Sequence, residues 1–356
     1  MAGHPGTTCG TRGRTRKPDV ITTEIGVTRM ADDASKSEVL EVFARSKELI
    51  VLAIVYDEGD IGGAVGQLFA EEADRARRGG TPKQLLSTND TVRHLWVSPA
   101  GSLWVASADG NVGTTAAFNW PVPRRADLRY RGLAGTPKWS VTSLPALQAT
   151  GLPPSVSALW GTSDSDVHAG AYGGHLYHWD GRAWTQLFNG PGSGRGTIRA
   201  IRGGTPDDVF AVGANSTVLR FDGKGWQQVR LPIPPDEDIA MTAIRPLPKG
   251  EAFLSGMADE GGVLFHGSSR GLTEFGRFPF QLVDMAYQAD RTLFATDQGA
   301  GELFGREIRL IKTNFTAVAV QASGNRWFFI EPAQEQPSYV EYDPADTEGE
   351  WMRMEY

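Results

Sequence analysis

A segment of this chain occurs twice without a gap. Leu159-Trp160-Gly161-Thr162-Ser163-Asp164-Ser165-Asp166-Val167-His168-Ala169 aligns with Ile201-Arg202-Gly203-Gly204-Thr205-Pro206-Asp207-Asp208-Val209-Phe210-Ala211 at an offset of 42 residues. At the same offset Tyr177-His178-Trp179-Asp180-Gly181 meets Leu219-Arg220-Phe221-Asp222-Gly223, and Trp184 meets Trp226. A period near 42 holding several short apolar runs is the spacing of a four-stranded propeller blade. The first unit reads as strands over 156–160, 167–171 and 176–179 and a fourth carrying Trp184; the second reads as 198–202, 209–213, 218–221 and a fourth carrying Trp226. Gly173-Gly174 and Asn215-Ser216 turn the second strand into the third. Asp180-Gly181 and Asp222-Gly223 read as two-residue type I′ hairpin turns, since Gly, and Asp less readily, accept the positive φ angles required. The two Trp are expected to cover the outer strand against a neighbouring blade.

Weaker copies flank this pair. Downstream units start near 241, 283 and 315, with Phe253 at the Phe210 position; upstream units run over 92–144 and 39–88. That predicts an all-β fold, a seven-bladed β-propeller of four-stranded antiparallel blades, a ring without an exposed edge. Residues 31–356 form this single domain, and residues 1–30 are expected to be a disordered basic N-terminal arm. Within the arm, 19–27 is open to a second reading as a closing strand.

The pattern Ser165-Asp166-Val167-x-Ala169-Gly170-x-x-Gly173-Gly174-x-Leu176-x-x-x-Asp180-Gly181-x-x-Trp184 resembles the repeats of bacterial YCF48-like and BNR-like propellers, and similar blades recur in propellers of myxobacteria. The resemblance covers two blades well and the others weakly. It departs from the sialidase Asp-box, because Asp-Gly and Trp occur without the leading Ser-x-Asp. It implies a fold rather than an activity, because propellers serve as enzymes, lectins and scaffolds alike.

Composition excludes several function classes. No run of about 18 apolar residues exists, so no transmembrane helix is expected. The single Cys9 rules out an internal disulfide framework and a Cys-based zinc site, and it fits a cytoplasmic protein. The net charge of -7 argues against a general nucleic-acid binder. No nucleophile elbow, P-loop, zincin or kinase signature occurs, so the chain reads as non-catalytic and without a cofactor.

Two groups of residues remain as candidate sites. His168 and His178 become cross-strand partners if the hairpin turns near Gly173, with Asp166 or Asp180 near enough to complete a metal site. The sister blade holds Phe210 and Arg220 at these positions, which favours aromatic packing over metal. Separately, residues 73–83 parallel 126–138, both between a third and a fourth strand where other units use Asp-Gly. Arg75, Arg77, Arg78, Arg124, Arg125, Arg129, Tyr130 and Arg131 are therefore expected to form a basic patch for another protein with an acidic surface. Pairing of these arginines with Glu71, Glu72, Asp74 and Asp127 is the competing reading. The expected function is a protein-binding propeller working as a scaffold or as an inhibitor of one partner. The alternative is a carbohydrate-binding propeller that stacks sugars on Trp120, Tyr130 or Trp139.

Overall fold

Short runs of β-branched and aromatic residues, broken every few positions by Gly, Asp or Asn, can pair only with their sequence neighbours, and they do so as antiparallel meanders. The computed structural model describes residues 21–24, 36–45, 48–56 and 65–72 as backbone strands, and 83–120, 130–131, 138–190, 196–288, 290–332, 338–347 and 350–355. Six blades with a four-stranded antiparallel body follow one another. Blade 1 spans 92–143, blade 2 156–188, blade 3 198–228, blade 4 240–278, blade 5 282–312 and blade 6 319–355. In blade 2 the strands are Val156–Ser163, Asp166–Ala171, Leu176–Trp179 and Trp184–Phe188. Blade 3 repeats them as Ile198–Thr205, Asp208–Gly213, Thr217–Phe221 and Trp226–Gln228.

The expectation of seven like blades is corrected to six blades of this form. Between blade 6 and blade 1 lies an N-terminal sheet of a different make. Its strands Lys36–Arg45, Glu48–Tyr56, Val65–Glu72 and Lys83–Thr88 are joined by a fifth, Tyr130–Arg131, borrowed from the long connection in blade 1. Blade 6 is also enlarged. Ile21–Glu24, within the expected arm, pairs in parallel with Trp351–Glu355, so four residues of the 19–27 segment supply a strand of the sheet. The rest of 1–30 lies outside the described residues. Both additions are long-range pairings that no local repeat encodes.

The core is a series of wedges between neighbouring blades. Trp96, Trp104, Ala106 and Val112 of blade 1 pack with Leu159, Ala169, Tyr177, Trp179 and Trp184 of blade 2. Ala158 and Leu176 of blade 2 pack with Ile201, Val209, Phe221 and Trp226 of blade 3. Trp184 and Trp226 thus each cover the preceding blade, as expected. Like wedges join blades 3 and 4, 4 and 5, and 5 and 6. Bulges in the innermost strands, at Ser157 and Thr242, turn a hydroxyl toward the next blade. Ser157 Oγ donates to the Ile198 carbonyl at 2.5 Å, and Thr242 Oγ1 donates to the Leu282 carbonyl at 2.8 Å.

The turns correct one detail of the sequence reading. Asp180 and Asp222 do not take positive φ; only Gly181 and Gly223 do, at 85° and 84°. The loops span four residues, and the Asp180 carboxylate accepts from the amides of Arg182 and Ala183, both at 2.9 Å. These amides hold Asp180 below the usual carboxylate range. The true pairs of positive-φ residues are Gly173-Gly174 and Asn215-Ser216, between second and third strands. Asx chemistry therefore replaces the I′ geometry at one end of the blade, and I′ geometry appears at the other.

Candidate functional site

In each blade the second strand begins, and the third strand ends, at the same edge of the sheet. A residue two positions before a cross-strand pair can then reach diagonally to the far member of that pair. Five blades use this diagonal for a charged contact. In blade 3, Phe210 pairs with Arg220, and Arg220 Nε donates to Asp208 Oδ1 at 2.8 Å. In blade 4, Phe253 pairs with His266, whose Nε2 lies 3.5 Å from Glu251 Oε2. Blades 5 and 6 carry the same diagonal with the charges exchanged. Arg291 Nε donates to Glu302 at 2.6 Å, and Arg326 Nη1 donates to Glu341 at 2.9 Å. Arg291 also lies over the rings of Trp327 and Tyr342, at 4.9 and 5.2 Å. Blade 1 has no such pair; Ser102 Oγ and Trp104 Nε1 instead donate to Asp164 of blade 2, at 2.7 and 2.8 Å.

Blade 2 differs from the other four. His168 pairs with His178, and the two imidazoles stack with centroids 4.5 Å apart. His178 Nε2 is 2.7 Å from Asp166 Oδ1, and His168 Nε2 is 4.0 Å from the same oxygen. Thr162 Oγ1 donates to the other carboxylate oxygen of Asp166. Phe221 and Trp226 of blade 3 close edge-on over His168, with centroids at 5.1 and 5.5 Å. His168 is wholly buried, and neither of its ring nitrogens has a hydrogen-bond partner. Burial, and after it the neighbouring His178, pull its pKa down to about 3, with Asp166 opposing only in part. The imidazole is neutral. Burial pushes the Asp166 carboxyl up, but hydrogen bonds from His178 and Thr162 outweigh it and leave it below the usual range. The expected cross-strand meeting of His168 and His178 is observed, and so is the aromatic packing around them.

The expected basic patch is mostly outside the described residues: Arg75, Arg77, Arg78, Arg124, Arg125 and Arg129 fall there, and Arg131 is described only as part of a strand. The ends of both long connections are described. One joins Val65–Glu72 to Lys83–Thr88 in the N-terminal sheet, and the other joins Asn111–Thr114 to Ser140–Ser143 in blade 1. Each is a third-to-fourth-strand connection, in adjacent sheets, and Tyr130–Arg131 pairs with Thr88 and Ser87, at the end of Lys83–Thr88 away from the other connection. Tyr130 is itself committed to structure. Its hydroxyl donates to Asp90 Oδ2 at 2.9 Å, which also accepts from Asn111 Nδ2 at 2.9 Å, and Ser143 Oγ donates to Asn111 at 2.6 Å. Burial raises the Tyr130 pKa well above its ordinary value.

Of the aromatic residues considered for sugar stacking, Trp120 and Tyr130 are half-buried against the core and Trp139 is buried. Trp120 stacks on Phe118 at 5.4 Å and meets Trp104 and Trp179 edge-on at 5.7 and 5.3 Å. Trp139 is buried and its Nε1 donates to the Leu85 carbonyl at 3.2 Å. Three Asp residues near the turns between first and second strands reach beyond them: Asp164 ties blade 2 to blade 1, while Asp166 and Asp208 serve the diagonals. Among the described residues no helix is long and apolar enough to cross a membrane.

No protein-family model matches the sequence, and no curated relative matches it. Solved structures do match. The β-propeller domain of the Trilobed protease from Pyrococcus furiosus, described as having an open velcro topology, aligns over 90% of this chain and 98% of its own, at 9% identity and a TM-score of 0.56. YCF48 bound to D1 peptide aligns over 76% of this chain and 82% of its own, at 14% identity and a TM-score of 0.50. YCF48 from Cyanidioschyzon merolae aligns over 75% and 85%, at 11% identity and a TM-score of 0.50. At these identities the likeness speaks for the fold alone, and with the blade-by-blade pairing above it makes the chain a β-propeller.

Proposed function

We propose that this propeller is a non-catalytic protein-binding module of the cytoplasm, a scaffold or inhibitor that holds one partner with an acidic surface. The reading rests on the two long third-to-fourth-strand connections, 73–82 and 115–139, in adjacent sheets. Blades 2 and 3 make the same connection with four residues, 180–183 and 222–225. Insertions on a rigid frame are where binding residues concentrate, and these two hold the arginines able to fork onto carboxylates. Tyr130–Arg131, paired to Ser87 and Thr88, ties the second insertion to the sheet that carries the first. The peptide held by the YCF48 propeller is a precedent for this use of the fold, and we assign 156–228 to that repeat type, as in myxobacterial propellers.

The test substitutes Arg77→Gln, Arg78→Gln, Arg129→Gln and Arg131→Gln together. A partner recovered with the unaltered chain should bind the quadruple variant at least about tenfold more weakly, at an unchanged melting temperature. Equal affinity for the two proteins removes the basic insertions from the interface. Recovery of glycans without any protein partner removes the scaffold reading itself.

A further inference from the structure

We propose that Asp166, His168 and His178 bind one divalent transition-metal ion, Zn²⁺ foremost, at the edge of blade 2. Among the described residues these three form a group of metal-ligand type whose donor atoms all lie within 4.8 Å of one another. A tetrahedral ion with bonds of about 2.0–2.1 Å needs donors roughly 3.3 Å apart. The two imidazole nitrogens stand 2.7 and 4.0 Å from the same carboxylate oxygen, distances that bracket this value. The two rings, stacked with an interplanar angle of 23°, turn out of the stack so that their lone pairs converge on the ion.

The second observation is His168 itself. A wholly buried imidazole with neither nitrogen hydrogen-bonded is an unexplained cost if packing is its only task, because the sister residue Phe210 packs in the same slot without it. A metal on Nε2 gives that nitrogen a partner. Two imidazoles and one carboxylate are the donor set that zinc and its neighbours favour over calcium or magnesium. Thr162, donating to the free oxygen of Asp166, holds the carboxylate in place as an outer-shell partner does. Asp166 and His178 are each about a fifth exposed, at 19% and 21%, so the remaining coordination positions open to water.

The molecule supplies its own control. His168→Phe with His178→Arg copies the blade 3 arrangement of Asp208, Phe210 and Arg220 into blade 2. Zn²⁺ is titrated into the full chain after chelator treatment, with binding followed by calorimetry and by competition with a coloured chelator. The wild type should take up one ion per chain and melt at a higher temperature with it. The double variant should bind at least about 100-fold more weakly and show no metal-dependent melting shift. A single Asp166→Asn variant, nearly isosteric, should lose affinity in the same way while its metal-free melting stays close to wild type. Absence of Zn²⁺ uptake by the wild type, or equal uptake by either variant, overturns the site.

Discussion

Blades 2 and 3 have one backbone and nearly one sequence pattern, yet they fill the same slot in opposite ways. In blade 3 the slot is closed: Arg220 is charged and paired with Asp208, and Phe210 needs no partner. In blade 2 the slot is open: His178 holds Asp166, and His168 sits buried with two unpartnered nitrogens. Register is not the cause, since His168–His178 and Phe210–Arg220 are the same cross-strand pair. The difference teaches that a buried ring can be kept at this position while its polar companion varies; blade 5 fills it with Leu293. Blades 5 and 6 extend the lesson, because there even the sign of the charges is exchanged.

That exchange changes what each pair costs to break, and it ranks the experiments. Glu341 in blade 6 is buried, with 1% of its side chain exposed, whereas Asp208 in blade 3 keeps 19%. Arg326→Ala takes the guanidinium away from a buried carboxylate, so it should lower stability by up to about 3–5 kcal/mol in urea denaturation. A loss near that of an exposed pair, below about 1 kcal/mol, would mean that the exchanged diagonals are no tighter than the original ones. His168→Phe, in chelator-treated protein, should raise stability by about 1 kcal/mol, because it removes unsatisfied polar atoms and keeps the flat contact with Phe221 and Trp226. Destabilisation would show that the imidazole packs better than its sister residue.

The smallest expected effect concerns the link from the N-terminal sheet into blade 1, where Asp90 is buried. Burial raises the Asp90 carboxyl from its ordinary 3.8, against hydrogen bonds from Asn111 and Tyr130. The folded protein then holds this proton to a higher pH than the unfolded chain does. The group's contribution to stability is therefore full below about 3.8 and falls as pH rises through the raised folded value. Asp90→Asn should flatten that part of the stability–pH curve. An unchanged slope would assign it to other carboxyls.

The two central blades were legible because an ungapped offset exposes equivalent positions, and the meeting of His168 with His178 followed from the position of one turn. The diagonals were harder to see. Asp208 and Arg220 are twelve residues apart in a hairpin, and the exchange to Arg291 and Glu302 hides the pattern from any comparison by residue type. The structural tie of Tyr130 was hidden for a different reason. Its partner Asp90 lies 40 residues away across a sheet boundary, and nothing near Tyr130 signals it. The Asp-Gly turns misled because Asp tolerates positive φ in principle, whereas here its carboxylate caps the loop amides.

The parallel pairing of Ile21–Glu24 with Trp351–Glu355 bears on how the ring is made. During synthesis the first strand leaves the ribosome some 330 residues ahead of its partner, so it waits while every blade between them forms. Blades 2 to 5 can each zip up from neighbouring sequence as they emerge, but the sheet of blade 6 is assembled from strands far apart in the sequence. Such a distant pairing is slow to find, and until it forms the outer edge of blade 6 presents free backbone donors and acceptors to any passing strand. The joint between first and last strands is thus the step at which a nascent ring is most exposed to joining a neighbour instead of itself.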